Sequence, residues 1–337
     1  MMIRSLDKTN IPTALSLVKR IFDEFEAPDY SKEGIATFYD FINPVSISEK
    51  LQTDNLKCWG AFEDDKVLGV IATRNINHIA LFFVDKDYHR QGIGRKLYQM
   101  VVEDVKQNGL DYITVNSSPY AVPVYHKLGF GYTDVEQLTD GLRYTPMKAF
   151  LHGKTLKVIT NDERAALFPV ILAPHSPKWE GAFEAERAMI QNMSCAKDIT
   201  GIHHYGSTAI PGIYAKPCVD ILLEILEKAD LNGLISSFEN AGYGYIRYDA
   251  DLPPHIMFMK GYTDIGFVGQ TFHIHVRYPG EHDELLFRDY LLAHPEKAKE
   301  YEALKLRLKK AYEYDRDGYT MAKGEFIRSV TEEARKR

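Results

Sequence analysis

One short segment limits the possible folds of this chain more than any other. Phe82 to Val84 is apolar and β-rich, Asp85 to Gln91 is polar, and Gly92-Ile93-Gly94-Arg95 opens a stretch with helical period. A strand, a loop and a glycine-led helix in that order imply an α/β layer, because the helix must fold back on the sheet to bury Ile93, Leu97, Val101 and Val105. The turn also suits an anion. Backbone N–H groups at a helix start lack intrahelical acceptors and carry partial positive charge, and Gly92 and Gly94 remove side chains from the approach. Arg90 and Arg95 add full charges, so a pyrophosphate is the natural guest, although a lone Gly-x-Gly also fits an ordinary helix start.

The flanking sequence supplies the remaining elements of such a layer. Asn10 and Pro12 predict a capped helix with Leu15, Val18, Phe22 and Phe25 on one stripe. Cys58–Glu63 and Lys66–Thr73, separated by Asp64-Asp65, read as a hairpin, and His78–Val84 as the next strand. The helix from Gly92 is expected to end near Asn108, with Gly109 turning left-handed. Tyr112–Asn116 reads as a strand, Ala121–Leu128 as a short helix closed by Gly129, and Arg143–Phe150 as the last strand of this half.

Residues Arg90-Gln91-Gly92-Ile93-Gly94 match the phosphate loop of the GNAT N-acetyltransferase family, except that His89 stands where Gln or Arg is usual. The run Asn116 to Phe130 matches that family's strand followed by a Tyr-x-x-x-Gly-Phe helix at Tyr125-His126-Lys127-Leu128-Gly129-Phe130. The chain resembles this family over about residues 80 to 130, and the element order fits from 1 to 151. The resemblance implies a mixed central sheet flanked by helices, with acetyl-CoA held by His89, Arg90, Gln91, Gly92, Ile93, Gly94, Arg95 and Asn116. It further implies that backbone N–H groups at Phe83 and Val84 polarise the acetyl carbonyl and that Tyr125 protonates the departing thiolate. The acceptor would be a primary amine on a small molecule or peptide. No glutamate occupies Ile79-Ala80-Leu81, where many relatives carry the base; His78 is one candidate, while Asp23, Glu24 and Glu26 lie where they could attract a cationic amine.

A chain of 337 residues exceeds what one core usually serves, so a second domain is expected. The polar stretch 152–165 reads as a linker between domains at 1–151 and 166–337. In the second, Lys216, Pro217 and Asp220 follow Gly206-Ser207-Thr208, and His273, His275 and Arg277 alternate onto one strand face. Expected elements are a helix over Glu180–Met193, strands near Ile202–Tyr205, Cys218–Leu226, Ile256–Met259 and Phe272–Tyr278, a helix over Leu231–Ala241 and three C-terminal helices.

Pro174-His175-Ser176-Pro177-Lys178-Trp179, Tyr205 to Gly212, His273-Ile274-His275-Val276 and Leu286-Phe287-Arg288-Asp289-Tyr290-Leu291 resemble the GrpB family from about Phe168 to Val330. The resemblance implies a nucleotidyltransferase-like α+β fold, with Asp220 as the ligand of an Mg2+ ion. Ser207, Lys216, Asp220, His273, His275, Arg277 and Arg288 form the candidate ligand site. Leu222 stands where active nucleotidyltransferases place a second carboxylate, and Glu224 lies about 13 Å along the strand at ordinary rise. Binding of a nucleotide or other phosphorylated ligand without transfer is therefore expected.

The leading expectation is an acetyl-CoA-dependent N-acetyltransferase fused to a GrpB-like ligand-binding domain. The rivals are a non-catalytic nucleotide and CoA sensor and a dual antibiotic-modifying acetyltransferase and nucleotidyltransferase. A net charge of −6, from 41 Lys+Arg and 47 Asp+Glu, speaks against nucleic acid as a partner. Three widely spaced cysteines form no zinc pattern and no apolar run reaches membrane-spanning length, so a reduced, cytoplasmic protein is expected.

Overall fold

The computed structural model describes residues 1–52, 56–151, 159–247 and 254–336. The chain divides into two compact units, Met1–Val158 and Ile159–Arg337.

The first unit runs β1 (Met2–Ser5), α1 (Ile11–Phe25), α2 (Lys32–Phe41), α3 (Pro44–Gln52), β2 (Leu56–Glu63), β3 (Lys66–Arg74), β4 (His78–Val84), α4 (Ile93–Gln107), β5 (Tyr112–Ser117), α5 (Val122–Lys127), β6 (Gly131–Tyr132), β7 (Gln137–Thr139) and β8 (Leu142–Phe150). Its strands lie in the order β1-β2-β3-β4-β5-β8-β6, with β7 hairpinned on β8. Within this unit β4 and β5 pair in parallel and the other pairs are antiparallel, so the sheet is mixed, as expected. Helices cover both faces. On β3, Val70 and Ala72 share one core with Val18 and Phe22 of α1, while Leu68 and Ile71 share the other with Leu97 and Val101 of α4. Leu97, Val101 and Val105 are fully buried, and each contributes about 2 kcal/mol by leaving water.

One irregularity in this sheet makes the site. The parallel β4–β5 pairing is limited to His78 with Thr114 and Ile79 with Val115, whereas β3 holds β4 as far as Val84. Beyond Ile79 the two strands part, and Asn116 and Ser117 continue against Pro146 and Thr145 of β8 instead.

The second unit runs α6 (Asn161–Leu167), α7 (Lys178–Gln191), β9 (Ile199–Tyr205), β10 (Cys218–Ile225), α8 (Leu231–Asn240), β11 (Gly244–Arg247), β12 (Ile256–Thr263), β13 (Gly266–Arg277), α9 (Asp283–Ala293), α10 (Pro295–Ala311), α11 (Arg316–Ala322) and α12 (Gly324–Arg335). Its sheet order is β9-β10-β13-β12-β11, parallel only between β10 and β13. Phe287 and Leu291 of α9, Tyr301 of α10 and Val330 of α12 make a core with Ile210 and Ile213 from the Gly/Pro-rich loop. No helix among the described residues is long and apolar enough to cross a membrane.

Several local expectations change. Asn10 does precede α1, but its side chain makes no cap; its Oδ1 accepts the Asp7 N–H at 2.9 Å, because Asp7 folds a tight turn there that also ties down Thr9. Residues 152–158 of the expected linker lie outside the described residues. The rest begins α6, where Thr160 and Glu163 form a reciprocal capping box, so that polar composition encodes a helix start. Four C-terminal helices stand where three were expected, since Pro295 starts a new helix directly after His294.

Candidate functional site

Two clefts of the first unit open where β4 and β5 part. One, about 400 Å³, runs along the α4 start and is lined by Val84, His89, Arg90, Gly92, Ile93, Gly94, Arg95 and Val124. The other, about 380 Å³, is lined by Tyr30, Phe38, Phe41, His78, Asn116 and Ser118, among others. They share Glu26, Phe82, Phe83, Ala121 and Tyr125.

The α4 start has the shape of an anion cradle. Gly92 is the N-cap at φ 80°, a left-handed conformation that glycine adopts without strain, and a side chain there would meet only open space. It offers no side-chain acceptor to the first-turn N–H groups, which are left for a ligand. Arg90, at φ 61°, and Arg95 are exposed beside it. His89 is exposed too, but its ring is engaged by its own loop: Nε2 lies 2.9 Å from the Val84 carbonyl, pinning the loop to the end of β4. Gln91 is outside the cleft lining and its amide donates to the Asp87 carbonyl at 3.4 Å. Asn116 lines the second cleft, not the cradle.

Tyr125 is buried on α5, its ring 6.1 Å from that of Phe82 and 5.2 Å from that of Phe130. Burial, with Glu26 and Tyr98 nearby, raises its pKa well above the ordinary tyrosine value, so it remains a neutral donor. Glu26, just past α1, is desolvated between the clefts. That desolvation, and to a lesser extent Asp29, pushes its carboxyl up to about 7 even though Ser118 donates to it. His78 is a poor base. Burial and Arg74 lower its pKa to about 4, and Arg74, which can only donate, approaches its Nε2 at 3.2 Å. Asp23 and Glu24 are engaged at the surface by Lys19 and Lys86.

In the second unit a cavity of about 680 Å³ is lined by Ser207, Lys216, Asp220, His273, His275 and Arg277, six of the seven expected residues. Arg288 is the exception: it donates to the His204 carbonyl at 2.7 Å and pairs with Asp289, tying α9 to β9. Arg277 is paired with Glu284 at 3.1 Å. Lys305, Arg316 and Lys323 complete the positive wall. Burial lowers the pKa of both Lys305 and Lys323 to about 7, aided by repulsion from Lys323 on the first and from Lys216 on the second. Burial would also raise Asp220, but His273, His275 and Lys216 hold it below the usual carboxylate range. His275 is kept neutral by burial, at about 4. The Tyr319 hydroxyl, fully buried at the cavity, finds no hydrogen-bond partner among the described residues. Asp283, Glu284 and Asp317 line the same cavity, but Glu284 is paired with Arg277, and the four other cations with the orphaned Tyr319 donor suit a phosphorylated ligand.

The expected Mg2+ fits less well. Asp220 stands beside Cys218 and His273, a sulfur and nitrogen neighbourhood foreign to a hard ion, and Glu224 is taken up by His282 at 2.9 Å and His203 at 3.2 Å. Leu222 is fully buried in the core.

Comparison with known proteins agrees with this division. A model described as GrpB protein matches residues 169–333, and one described as Acetyltransferase (GNAT) domain matches residues 26–151. The Glutamate-rich protein GrpB of Alkalihalophilus pseudofirmus is 33% identical over 168 residues, spanning 49% of this chain and 95% of that protein. The chain belongs to the GrpB family. In it the GrpB part is fused to a GNAT acetyltransferase domain, and the UPF0157 protein YqkA of Bacillus subtilis matches across both, 28% identical over 92% of this chain and 87% of that protein. A crystal structure of the conserved protein GrpB from Enterococcus faecalis covers 49% of this chain and 96% of that chain, with 29% identity and a TM-score of 0.43.

Within this GrpB-family chain, sequence reasoning missed Cys218, Lys305, Arg316, Tyr319 and Lys323 as cavity residues; it named Glu26 with Asp23 and Glu24 as able to attract a cationic amine, but not as the carboxylate between the clefts. Lys305 carried a readable signal: it lies four residues after Tyr301 and seven after Ala298, on the buried stripe of α10. Cys218 alternates with Asp220 on β10, and Arg316, Tyr319 and Lys323 recur at helical spacing along α11 and its C-cap, but only the fold brings these elements to one cavity.

Proposed function

We propose that the first unit is an acetyl-CoA-dependent N-acetyltransferase acting on a primary amine, and that the second binds a phosphorylated ligand without nucleotidyl transfer. The observation that carries the first reading is the meeting of two separate clefts at Tyr125, Glu26 and Phe83, as a reaction between two bound substrates requires. Acetyl-CoA supplies the activated acetyl thioester. The N–H groups at the start of α4, with Arg90 and Arg95, would hold its diphosphate, and the Phe83 and Val84 backbone, beyond the point where β5 leaves β4, suits polarising the carbonyl. The second cleft, with Tyr30, Phe38 and Phe41 beside Glu26, suits a cationic amine with an apolar body. Glu26 would accept the proton that the amine loses, in place of His78. Tyr125 would donate one to the departing sulfur.

The second reading rests on the cations of the cavity and on the buried Leu222, which stands where a second carboxylate would share a metal with Asp220. Thiol release from acetyl-CoA over a panel of small-molecule and peptide amines tests the first reading. Release that depends on the amine supports transfer, whereas CoA binding without release from any amine would favour a sensor.

A further inference from the structure

Cys218 joins Asp220 and His273, already named for the phosphorylated-ligand site, in a cluster whose chemistry phosphate binding does not explain. Cys218 and Asp220 are alternate residues of β10, so their side chains leave the same face of the sheet, and His273 is the direct parallel partner of Asp220 on β13. One donor atom from each of the three lies within 4.8 Å of the other two, and His273 Nδ1 is 3.5 Å from Asp220 Oδ1. The group lines the 680 Å³ cavity, so it has an open side.

We propose that Cys218, Asp220 and His273 bind a divalent transition-metal ion of the zinc class, with its remaining coordination position facing the cavity. The donor set decides the class, since thiolate, imidazole and carboxylate together select zinc-like ions over magnesium or calcium. Three protein ligands leave the fourth tetrahedral position for water or an oxygen of a cavity ligand. The bound site would carry no net charge, because thiolate and carboxylate together offset the two charges of the ion. The surroundings hold the ligands in place. Tyr262 stacks on His273 with ring centroids 5.4 Å apart and accepts a hydrogen bond from Arg316 at 3.0 Å. A side chain at Gly206 would come within 2.3 Å of the Asp220 carboxylate, so only glycine leaves that carboxylate its room. One donor atom from each of three side chains within 4.8 Å of the others is a spacing that a single ion can draw into a coordination sphere.

The assignment is independent of which phosphorylated ligand the cavity takes. Co2+ added to the metal-stripped full chain gives a sulfur-to-cobalt charge-transfer band that saturates at one ion per chain and is displaced by Zn2+. Cys218→Ser abolishes the band, and His273→Gln weakens Co2+ binding by more than about 100-fold, beyond the loss that outer-shell changes cause. Cys58→Ser and Cys195→Ser keep it, and circular dichroism verifies that each variant is folded. A wild-type chain without the band overturns the proposal whatever the variants do, and so does a band that survives in folded Cys218→Ser.

Discussion

At the scale of single residues, the first unit separates two proton-handling groups by environment. Tyr125 is desolvated and keeps its proton, while Glu26 is desolvated only enough to titrate at about 7. Tyr125→Phe is expected to lower turnover by about 100-fold or more with acetyl-CoA affinity nearly unchanged, because the proton matters as the thiolate leaves. Steady-state kinetics beside calorimetry separates the two effects. For Glu26 the sign is also set: the carboxylate accepts a proton only when ionised, so kcat/KM should fall as pH drops below about 7. In Glu26→Gln that acid limb should disappear along with most of the rate. A wild-type profile flat from pH 6 to 8, measured with an amine already neutral in that range, would remove Glu26 as the base.

At the scale of elements, the start of α4 is where sequence and structure agree most closely, because helix-start chemistry is local. Gly92 gives the left-handed cap, Gly109 at φ 75° ends the helix, and the stripe Ile93, Leu97, Val101, Val105 is buried throughout. Gly92→Val forces a β-branched residue into that left-handed cap and so disturbs the backbone that presents the first-turn N–H groups. It is expected to reduce CoA affinity by more than about 10-fold, read by calorimetry, since strain of about 1–2 kcal/mol and lost N–H contacts act together. The short elements α2, α3, β6, β7 and β11 were not legible. Several are small or weakly patterned, and α2 is marked chiefly by Ser31, whose hydroxyl accepts the Gly34 N–H at 3.1 Å.

At the scale of the whole molecule, the chain divides into two compact units, each with its own core. Labelled nucleoside triphosphates given to the full chain should leave no transferred label above that of Asp220→Ala. The cavity should nevertheless bind pyrophosphate, and more weakly as pH rises through about 7. Burial holds Lys305 and Lys323 down to that value, helped by repulsion from Lys323 on the first and from Lys216 on the second and opposed by the pull of Glu302 and Asp220 respectively, and an arriving anion favours their charged forms. Calorimetry in buffers of differing ionisation heat should therefore detect proton uptake on binding at pH 7. Proton-neutral binding would show that these lysines do not face the anion.

The glycine turn at Arg90 to Arg95, the tyrosine helix at Tyr125, the Gly206-Ser207 loop and the histidine strand at His273 and His275 were all determined by sequence alone. Each depends on residues close along the chain, where spacing dictates which side chains share a turn or a strand face. Tertiary structure decided the rest. The parting of β4 from β5 sets Glu26 between the clefts and leaves His78 bonded to Arg74 and Thr114. Parallel pairing of β10 with β13 sets Cys218 and Asp220 beside His273, and Lys305 and Lys323 reach the same cavity from the C-terminal helices. These positions follow from strand register and helix packing between distant segments, which no local pattern encodes.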